Sequence, residues 1–471
     1  MFDGMEMGLF PLVGKDALRE LLGPDATADS INRWFGVITA MFLVGAATGG
    51  VVFGWLGDKM GRVKAMTVSV LVYAGCSGLC SIAGSPFQLA VLRFLGALGM
   101  GGEWALGVAL VMELWPKTSR TLLAGWIGAF GNLGYTICAV VALGLNRFGA
   151  ELTGRLESIG MPSMWAEQLT RFGNWRLLML SGAVPALLTL FIRLFVPESE
   201  KWSKEKASGK TSGWSGKDLL VVLVGAAAAS GIVGVWATDV QFGVRIPVTL
   251  LAAAISAACY LFPARQFLQR TEPDRTKHRH ILGRMLLAAG LSGVPLLATW
   301  AGVMWQYNWV GNLTKDLDAK PTVQVASSIG AAVGCLIGAI LCGRLGRRPV
   351  YAALCVLSLS TLVGFYTLNT EFGPAFVAWA AGVGFITAAF YGWLPLYLPE
   401  LFPTPMRATG QGFGFNFGRI LAAIGALQTP ALLEVFGGRY DRAIVVTAAV
   451  YLVGLVLIAL APETKGKELP E

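Results

Sequence analysis

Five charged side chains fall inside runs of apolar residues: Asp3, Glu6, Arg93, Glu103 and Arg419. A charge at the centre of a membrane-spanning helix costs about 2.5–3.5 kcal/mol even on lenient insertion scales, so it is retained for chemistry or paired with an opposite charge. Carboxylates shielded from water hold a proton more readily, which makes Asp3, Glu6 and Glu103 candidates for proton exchange. Arg419 and Arg93 present the planar fork that grips a carboxylate through two hydrogen bonds. The competing reading is a buried Glu–Arg pair that only ties helices together. Trp300, Trp305 and Gln306 on one run, with Asn132, Tyr391, Trp393 and Asn416 on others, are candidates to line a cavity beside these charges. Membrane-interface aromatic belts are the alternative, above all for Trp309 and Tyr397.

A second group of charges lies at the ends of apolar runs, and it occurs twice. Gly54, Asp58, Lys59, Gly61, Arg62 and Lys64 are echoed by Gly343, Arg344, Gly346, Arg347 and Arg348. Glu113, Pro116 and Arg120 keep the spacing of Glu400, Pro403 and Arg407. Gly61 and Gly346 are 285 residues apart and Glu113 and Glu400 287, so the second half reads as a copy of the first. One departure of the copy matters: Gly343 stands where the first half has Asp58. Asp58 sits where its carboxylate can meet the positive N-terminus of a helix beginning near Ala408. Expected ion pairs are Glu113 with Arg62, Glu198 with Arg120, Glu400 with Arg347 and Glu463 with Arg407; ordinary surface charge is the alternative.

The elements that must carry these residues follow from composition. Of 471 residues, 55% are hydrophobic and 14% charged, too little polar surface to cover a soluble globule. Apolar runs near 20 residues suit spanning helices, whereas barrel strands would be shorter and alternating. Spans are expected at 1–22, 33–57, 65–84, 86–114, 120–145 and 174–196, then at 281–310, 321–343, 349–368, 375–398, 409–433 and 441–461. Two more, 219–238 and 244–262, lie between, joined by a turn with Asp239 and Arg245, giving about 14. A surface-lying or re-entrant pair is the alternative there. Residues 1–14 are too few to cross before Lys15, so the first helix is expected to lack its beginning. The stretch 146–174 reads as an outer loop with a short amphipathic helix.

The net charge of +9 comes from short basic loops on one side of this topology. It fits the positive-inside rule better than nucleic-acid binding. Lys59, Arg62, Lys117, Lys210, Arg265, Arg270, Arg344, Arg348 and Lys465 then face the cytoplasm, as does the C-terminus. The seven cysteines fall in or beside apolar runs without disulfide or zinc spacing, and His278 and His280 have no further ligand nearby. No metal site, cofactor or enzyme nucleophile with a paired base is expected, and no phosphate-binding Gly-Lys-Ser/Thr loop occurs.

The Gly54–Lys64 stretch resembles the loop between helices 2 and 3 of the major facilitator superfamily. Arg93-Phe-Leu-Gly-Ala-Leu-Gly-Met-Gly-Gly-Glu103, Pro197-Glu198-Ser199 and Pro462-Glu463-Thr464 are similar to its sugar-porter and metabolite:proton symporter branch. Glu103, Asn174-Trp175-Arg176 and the central pair are most similar to sialate:proton symporters; Asp3 and Glu6 resemble the acidic pair of aromatic-acid symporters. The resemblance implies an all-α integral membrane fold of two six-helix halves, 1–196 and 281–471, with pseudo-twofold symmetry, and 197–280 holding the two extra helices. It also implies a cytoplasmic latch built from Gly54, Asp58, Gly61, Arg62, Glu113, Arg120, Glu198, Arg347, Glu400, Arg407 and Glu463. The function expected is proton-coupled symport of a small organic anion by a monomer in the cytoplasmic membrane, driven by the proton gradient. A neutral-sugar symporter or facilitator, or a membrane sensor that keeps the fold without transport, is the alternative.

Overall fold

The computed structural model describes residues 1–114, 120–209, 213–238 and 240–470. Pro116, Lys117, Lys210 and Asp239 lie outside the described residues. Among those described, the regular elements are helical. The N-terminal set comprises α1 (Phe2–Leu22), α2 (Ala28–Met60), α3 (Arg62–Leu79), α4 (Pro86–Leu114), α5 (Arg120–Ser158), α6 (Ser163–Ser181) and α7 (Ala186–Phe195). A short α8 (Glu200–Ala207) leads to the pair α9 (Leu219–Ala237) and α10 (Phe242–Thr271). The C-terminal set begins with α11 (Arg275–Ala298), α12 (Trp305–Leu313), α13 (Ala319–Leu345), α14 (Arg347–Leu368) and α15 (Pro374–Ala388). It ends with α16 (Phe390–Tyr397), α17 (Arg407–Asn416), α18 (Gly418–Val435), α19 (Tyr440–Ala448) and α20 (Val450–Leu460).

Eleven described stretches are long and apolar enough to cross a membrane, against the fourteen expected. The three others fall short for visible reasons. Helix α1 carries Asp3, Glu6, Lys15, Asp16, Arg19 and Glu20; α6 is broken before α7; and α17 mixes glycine with polar residues before its junction with α18.

Several helices are interrupted where the chain withholds a backbone hydrogen bond. Pro295 in α11 has no N–H, which frees the Leu291 carbonyl one turn back. The Tyr351 hydroxyl donates to that carbonyl at 2.7 Å. A π turn, Thr299–Val303, follows and separates α11 from α12. Its loosened carbonyls are also taken from the side: Tyr366 Oη donates to Gly302 O at 2.8 Å and Thr429 Oγ1 to Ala301 O at 3.2 Å. Such turns cluster at functional positions.

Two boundary expectations change. The 146–174 stretch is mostly helix, because α5 continues to Ser158 with an exposed Arg155–Glu151 pair one turn apart at 2.9 Å. The break comes later, at Arg171–Asn174, where Phe172 and Asn174 take φ of 50° and 59°. Asn174 Nδ2 then donates to Leu145 O at 3.1 Å, tying the break to α5. Helix α10 runs nine residues past the expected 262, its end held by Arg270 Nη2 on Asp218 Oδ1 at 2.9 Å.

Two seams join the sets. Helix α2 packs on α17 and α18, and α5 lies along α13. The α9–α10 pair covers the first seam from outside, with Tyr260 Oη and Thr48 Oγ1 of α2 2.7 Å apart in the interior. The α2–α17 approach is backbone-close: a Cβ at Gly412 would stand 2.4 Å from Gly50 O. Only a hydrogen fits there. Gly412→Val is therefore expected to force the helices apart at a cost of about 1–3 kcal/mol, read as a lower unfolding temperature in detergent. Gly75→Val, at a position with nothing within 4 Å of a new Cβ, is the control expected to leave that temperature unchanged.

Candidate functional site

A cavity of about 340 Å³ lies between the two helix sets, a size suited to a small metabolite. Asp3 of α1, Glu103 of α4 and Asn132 and Tyr135 of α5 line one wall; Trp300 of the π turn, Tyr391 of α16 and Arg419 of α18 line the other. Arg419 is 3% exposed, and among the described residues no acceptor meets its Nε or Nη1. The Phe415 ring lies 5.2 Å from its guanidinium, and Asp3, Tyr135 and Tyr391 are the groups within electrostatic reach. Glu103 Oε2 is likewise buried without a hydrogen-bond partner, and it faces Asp3 and Tyr73. The carboxylates belong to the N-terminal set and the guanidinium to the C-terminal set. A buried charge left without bonds is costly, so this arrangement is suited to groups that arrive: an anion at Arg419 and a proton at Glu103 or Asp3.

The other residues singled out from sequence sit elsewhere. Arg93 is taken by Glu6 in a buried ion pair, with Phe42 stacked 4.4 Å from the guanidinium. Neither lines the central cavity, so the expected roles in substrate and proton binding there do not fit their positions; each neutralises the other. Gln306 Nε2 donates to Ser327 Oγ at 3.1 Å and Asn416 Nδ2 to Gly101 O at 3.1 Å, so both act as interhelix bonds. Trp305 faces a smaller neighbouring cavity, and Trp393 donates to Arg347 O at 2.7 Å. Sequence reasoning missed Trp104, Thr299 and Tyr307, which line the central cavity. Trp104 was recognisable as the neighbour of Glu103, and it stacks on Phe415 across the seam at 3.6 Å. Thr299 and Tyr307 depend on the π turn, which no spacing announces.

At the end of the bundle bearing the basic loops, Asp58, Arg62, Glu113 and Arg407 are fully enclosed. Arg62 meets Asp58 at 3.0 Å and Glu113 at 3.2 Å, and Arg407 meets Glu113 at 3.2 Å. Asp58 Oδ2 accepts the Thr409 N–H at 2.8 Å and its hydroxyl at 2.6 Å, at the start of α17. That joins the two sets through a carboxylate at a helix N-terminus, where the dipole favours negative charge. Gly54 lies beside it, against the Ala408 carbonyl.

The expected pairs Glu113–Arg62 and Glu400–Arg347 are present, the latter at 2.6 Å. The other two are not. Glu198 accepts the N–H groups of Arg62 and Val63 at 2.9 and 3.2 Å instead of meeting Arg120, and Glu463 accepts those of Arg347 and Arg348 at 3.0 Å instead of meeting Arg407. Each glutamate caps the first turn of α3 or α14, supplying acceptors to N–H groups that a helix start leaves unbonded. Gly61 and Gly346 precede those starts with φ of 113° and 106°, which L side chains rarely adopt. Ser199 Oγ donates to Glu113 and Thr464 Oγ1 to Glu400, so the device is built twice. Burial opposes ionisation of Glu463, but backbone N–H donation holds its carboxyl below the ordinary glutamate range. Arg120 lies within electrostatic reach of Glu400 and Glu468.

Residues 1–313 match the family described as Major Facilitator Superfamily, and residues 277–471 match that of the sugar (and other) transporters. The chain belongs to the major facilitator superfamily. It is a multi-pass membrane transporter. Superfamily relatives include an inner membrane metabolite transport protein of Escherichia coli, 26% identical over 92% of this chain and 84% of that one. A cis,cis-muconate transport protein of Acinetobacter baylyi is 25% identical over 90% and 84%. A sialic acid transporter of Escherichia coli is 21% identical over 92% and 84%. Among solved structures, a proton:xylose symporter has the same fold (TM-score 0.67, 16% identity, 99% of this chain and 95% of that one).

Within this superfamily fold, the enclosed cluster holds two carboxylates and two guanidiniums and is neutral as a whole. Glu113→Gln or Arg407→Gln alone is expected to cost about 3–5 kcal/mol, because each leaves an opposite charge under-compensated. The double variant should cost clearly less than the sum. Thermal unfolding of the four proteins in detergent, as a double-mutant cycle, measures the coupling.

Proposed function

We propose that this transporter is a proton-coupled carrier importing a small organic anion, a carboxylate or sialate-like metabolite, by alternating access around the central cavity. The observation that carries the reading is Arg419, an enclosed guanidinium with unmet donors in a cavity whose opposite wall holds Asp3 and Glu103. A carboxylate suits the planar fork. The transport of muconate and sialic acid by two relatives supports the same substrate class. Glu103 or Asp3 would carry the proton: with the anion bound, protonation removes the negative charge facing it, so the two cargoes favour each other's binding.

Residues 1–196 and 281–471 would form the two rocking halves, with α9–α10 spanning twice between them for about 14 spans in all. The protein would work as a monomer in the cytoplasmic membrane, basic end and C-terminus inside. The Asp58–Thr409 bonds and the Glu113 bridge to Arg407 join the sets at that end and would have to break for it to open. The C-terminal copy, with Gly343 against Thr121, supplies no matching carboxylate.

Uptake of a panel of carboxylates and sugars into proteoliposomes, with and without an inward proton gradient, tests the reading. Gradient-stimulated carboxylate uptake is expected; uptake of neutral sugars alone would overturn it. Arg419→Gln should raise the half-saturating anion concentration by about tenfold or more. Glu103→Gln should abolish gradient-driven uptake while sparing exchange, and unchanged driven uptake would remove Glu103 from coupling. Asp58→Asn should alter the transport rate, whereas an unaltered rate would deny the latch.

A further inference from the structure

A second, smaller cavity lies further along α1, away from the basic end. The rise of an α-helix sets Lys15 about 18 Å beyond Asp3. The cavity is lined by Lys15, Asn32, Thr39 and Asn308, with Arg93 beside them, and by no carboxylate among the described residues. Trp300 and Met304 line both this cavity and the central one, so the π turn and the residue after it form the partition between them.

Its charge is unbalanced. Lys15, half-buried, faces Lys320 at the start of α13 and Arg19. Asp16, the carboxylate within electrostatic reach of both lysines, is also engaged by Arg19 at 2.6 Å, leaving one carboxylate to three cations. Arg93 Nε is enclosed without an acceptor, although its Nη1 is spent on Glu6. Lys320, across the seam between the helix sets, does not line the cavity but lies within electrostatic reach of Lys15, and an anion beside Lys15 relieves their repulsion. The space, about 30 Å³, admits roughly two water-sized groups. That matches the two oxygens of a carboxylate rather than a whole metabolite.

We infer that this outer cavity is a waiting site for the carboxylate head group of an incoming anion, with Lys15 as its principal contact, Lys320 as the second positive charge, and Trp300 as the barrier to the central cavity. The inference rests on the anion-transport reading for its role in uptake. The charge arrangement stands by itself. Binding here concentrates anions at the entrance and leaves translocation to Arg419.

A cysteine at Thr39 reports on the cavity without requiring transport. The protein with Thr39→Cys, in a background with Cys76→Ser and Cys259→Ser, is labelled with anionic methanethiosulfonate-ethylsulfonate and with its cationic trimethylammonium analogue. Relative to the same reagents on a free thiol, the anionic reagent should be favoured, on the order of tenfold. Lys15→Gln with Lys320→Gln should remove most of that preference, and Lys15→Arg with Lys320→Arg should keep it. Millimolar benzoate should slow labelling in the parent and in Arg419→Gln, but not in the double glutamine variant. A reagent preference or benzoate protection indifferent to both lysines would overturn the waiting site, even if proteoliposomes take up carboxylates. Protection that needs the lysines, in a protein that transports no carboxylate, would keep the site and overturn the transport reading.

Discussion

Burying charge out of water is the constraint on which this structure depends, and the molecule meets it in two opposite ways. At the basic end, Asp58, Arg62, Glu113 and Arg407 compensate each other in charge, and backbone carbonyls take further donors. Arg62 Nη1 reaches Gly57 O at 2.7 Å and Arg407 Nη2 reaches Pro470 O at 2.7 Å. Such a cluster is weak evidence for high stability, since hydrophobic replacements can do as well. It is stronger evidence for specificity: the four groups come from α2, α3, α4 and α17, so their mutual contacts fix the relative placement of those helices.

The central cavity does the reverse. Arg419 and Glu103 keep unmet donors and acceptors, on helices belonging to different sets. Elsewhere the buried charges Asp58, Arg62, Glu113 and Arg407 each have an opposite charge within 3.2 Å, whereas Arg419 has no such partner where substrate-sized space exists. Glu6 and Arg93 show that the same chain can bring an opposite pair into direct contact, although Arg93 Nε and Glu6 Oε2 stay without partners. The carboxylates of the cavity and the ion pair sit on the same two helices, since Asp3 and Glu6 share α1 and Arg93 and Glu103 share α4.

Much of the fold was legible because hydrophobic run length reports spans directly and the duplicated loops report the repeat. The bonds Arg62–Glu113 and Arg347–Glu400 could be read from charge sign and repeated spacing. Glu198 and Glu463 could not, since a carboxylate's best partner at a helix start is the backbone, which every sequence has. Charge in an apolar run groups Arg93 with Arg419; what separates them is the neighbour that packing supplies, Glu6 of α1 for Arg93 and no acceptor for Arg419 Nε and Nη1. The π turn was also hidden. Pro295 signals a lost bond, but whether the helix bends, stops or widens depends on which side chains arrive to take the freed carbonyls, and those come from α14 and α18.

The doubled device also explains why one copy can lose its acid. Capping by Glu198 or Glu463, the positive-φ glycine and the Arg–Glu bridge act within one set, preserving the geometry between consecutive helices. Asp58 reaches from that device to the other set at Thr409, alongside the Glu113–Arg407 bridge and the Arg62 bond to Thr404 O. Replacing its counterpart by Gly343 removes a cross-seam tie and the intraset pair that Asp58 makes with Arg62, while Arg347 keeps Glu400 through both Nε and Nη2. In its place α13 comes close to Thr121, where even a Cβ would stand 2.8 Å from the threonine methyl. One seam is joined by charge-assisted bonds that must be desolvated again to re-form, and the other by neutral hydrogen bonds, such as Gln324 to Tyr135 O, and small residues in contact. Two seams of such different character need not open by the same motion, and the α2–α17 seam is the one held by ion pairs and charge-assisted bonds.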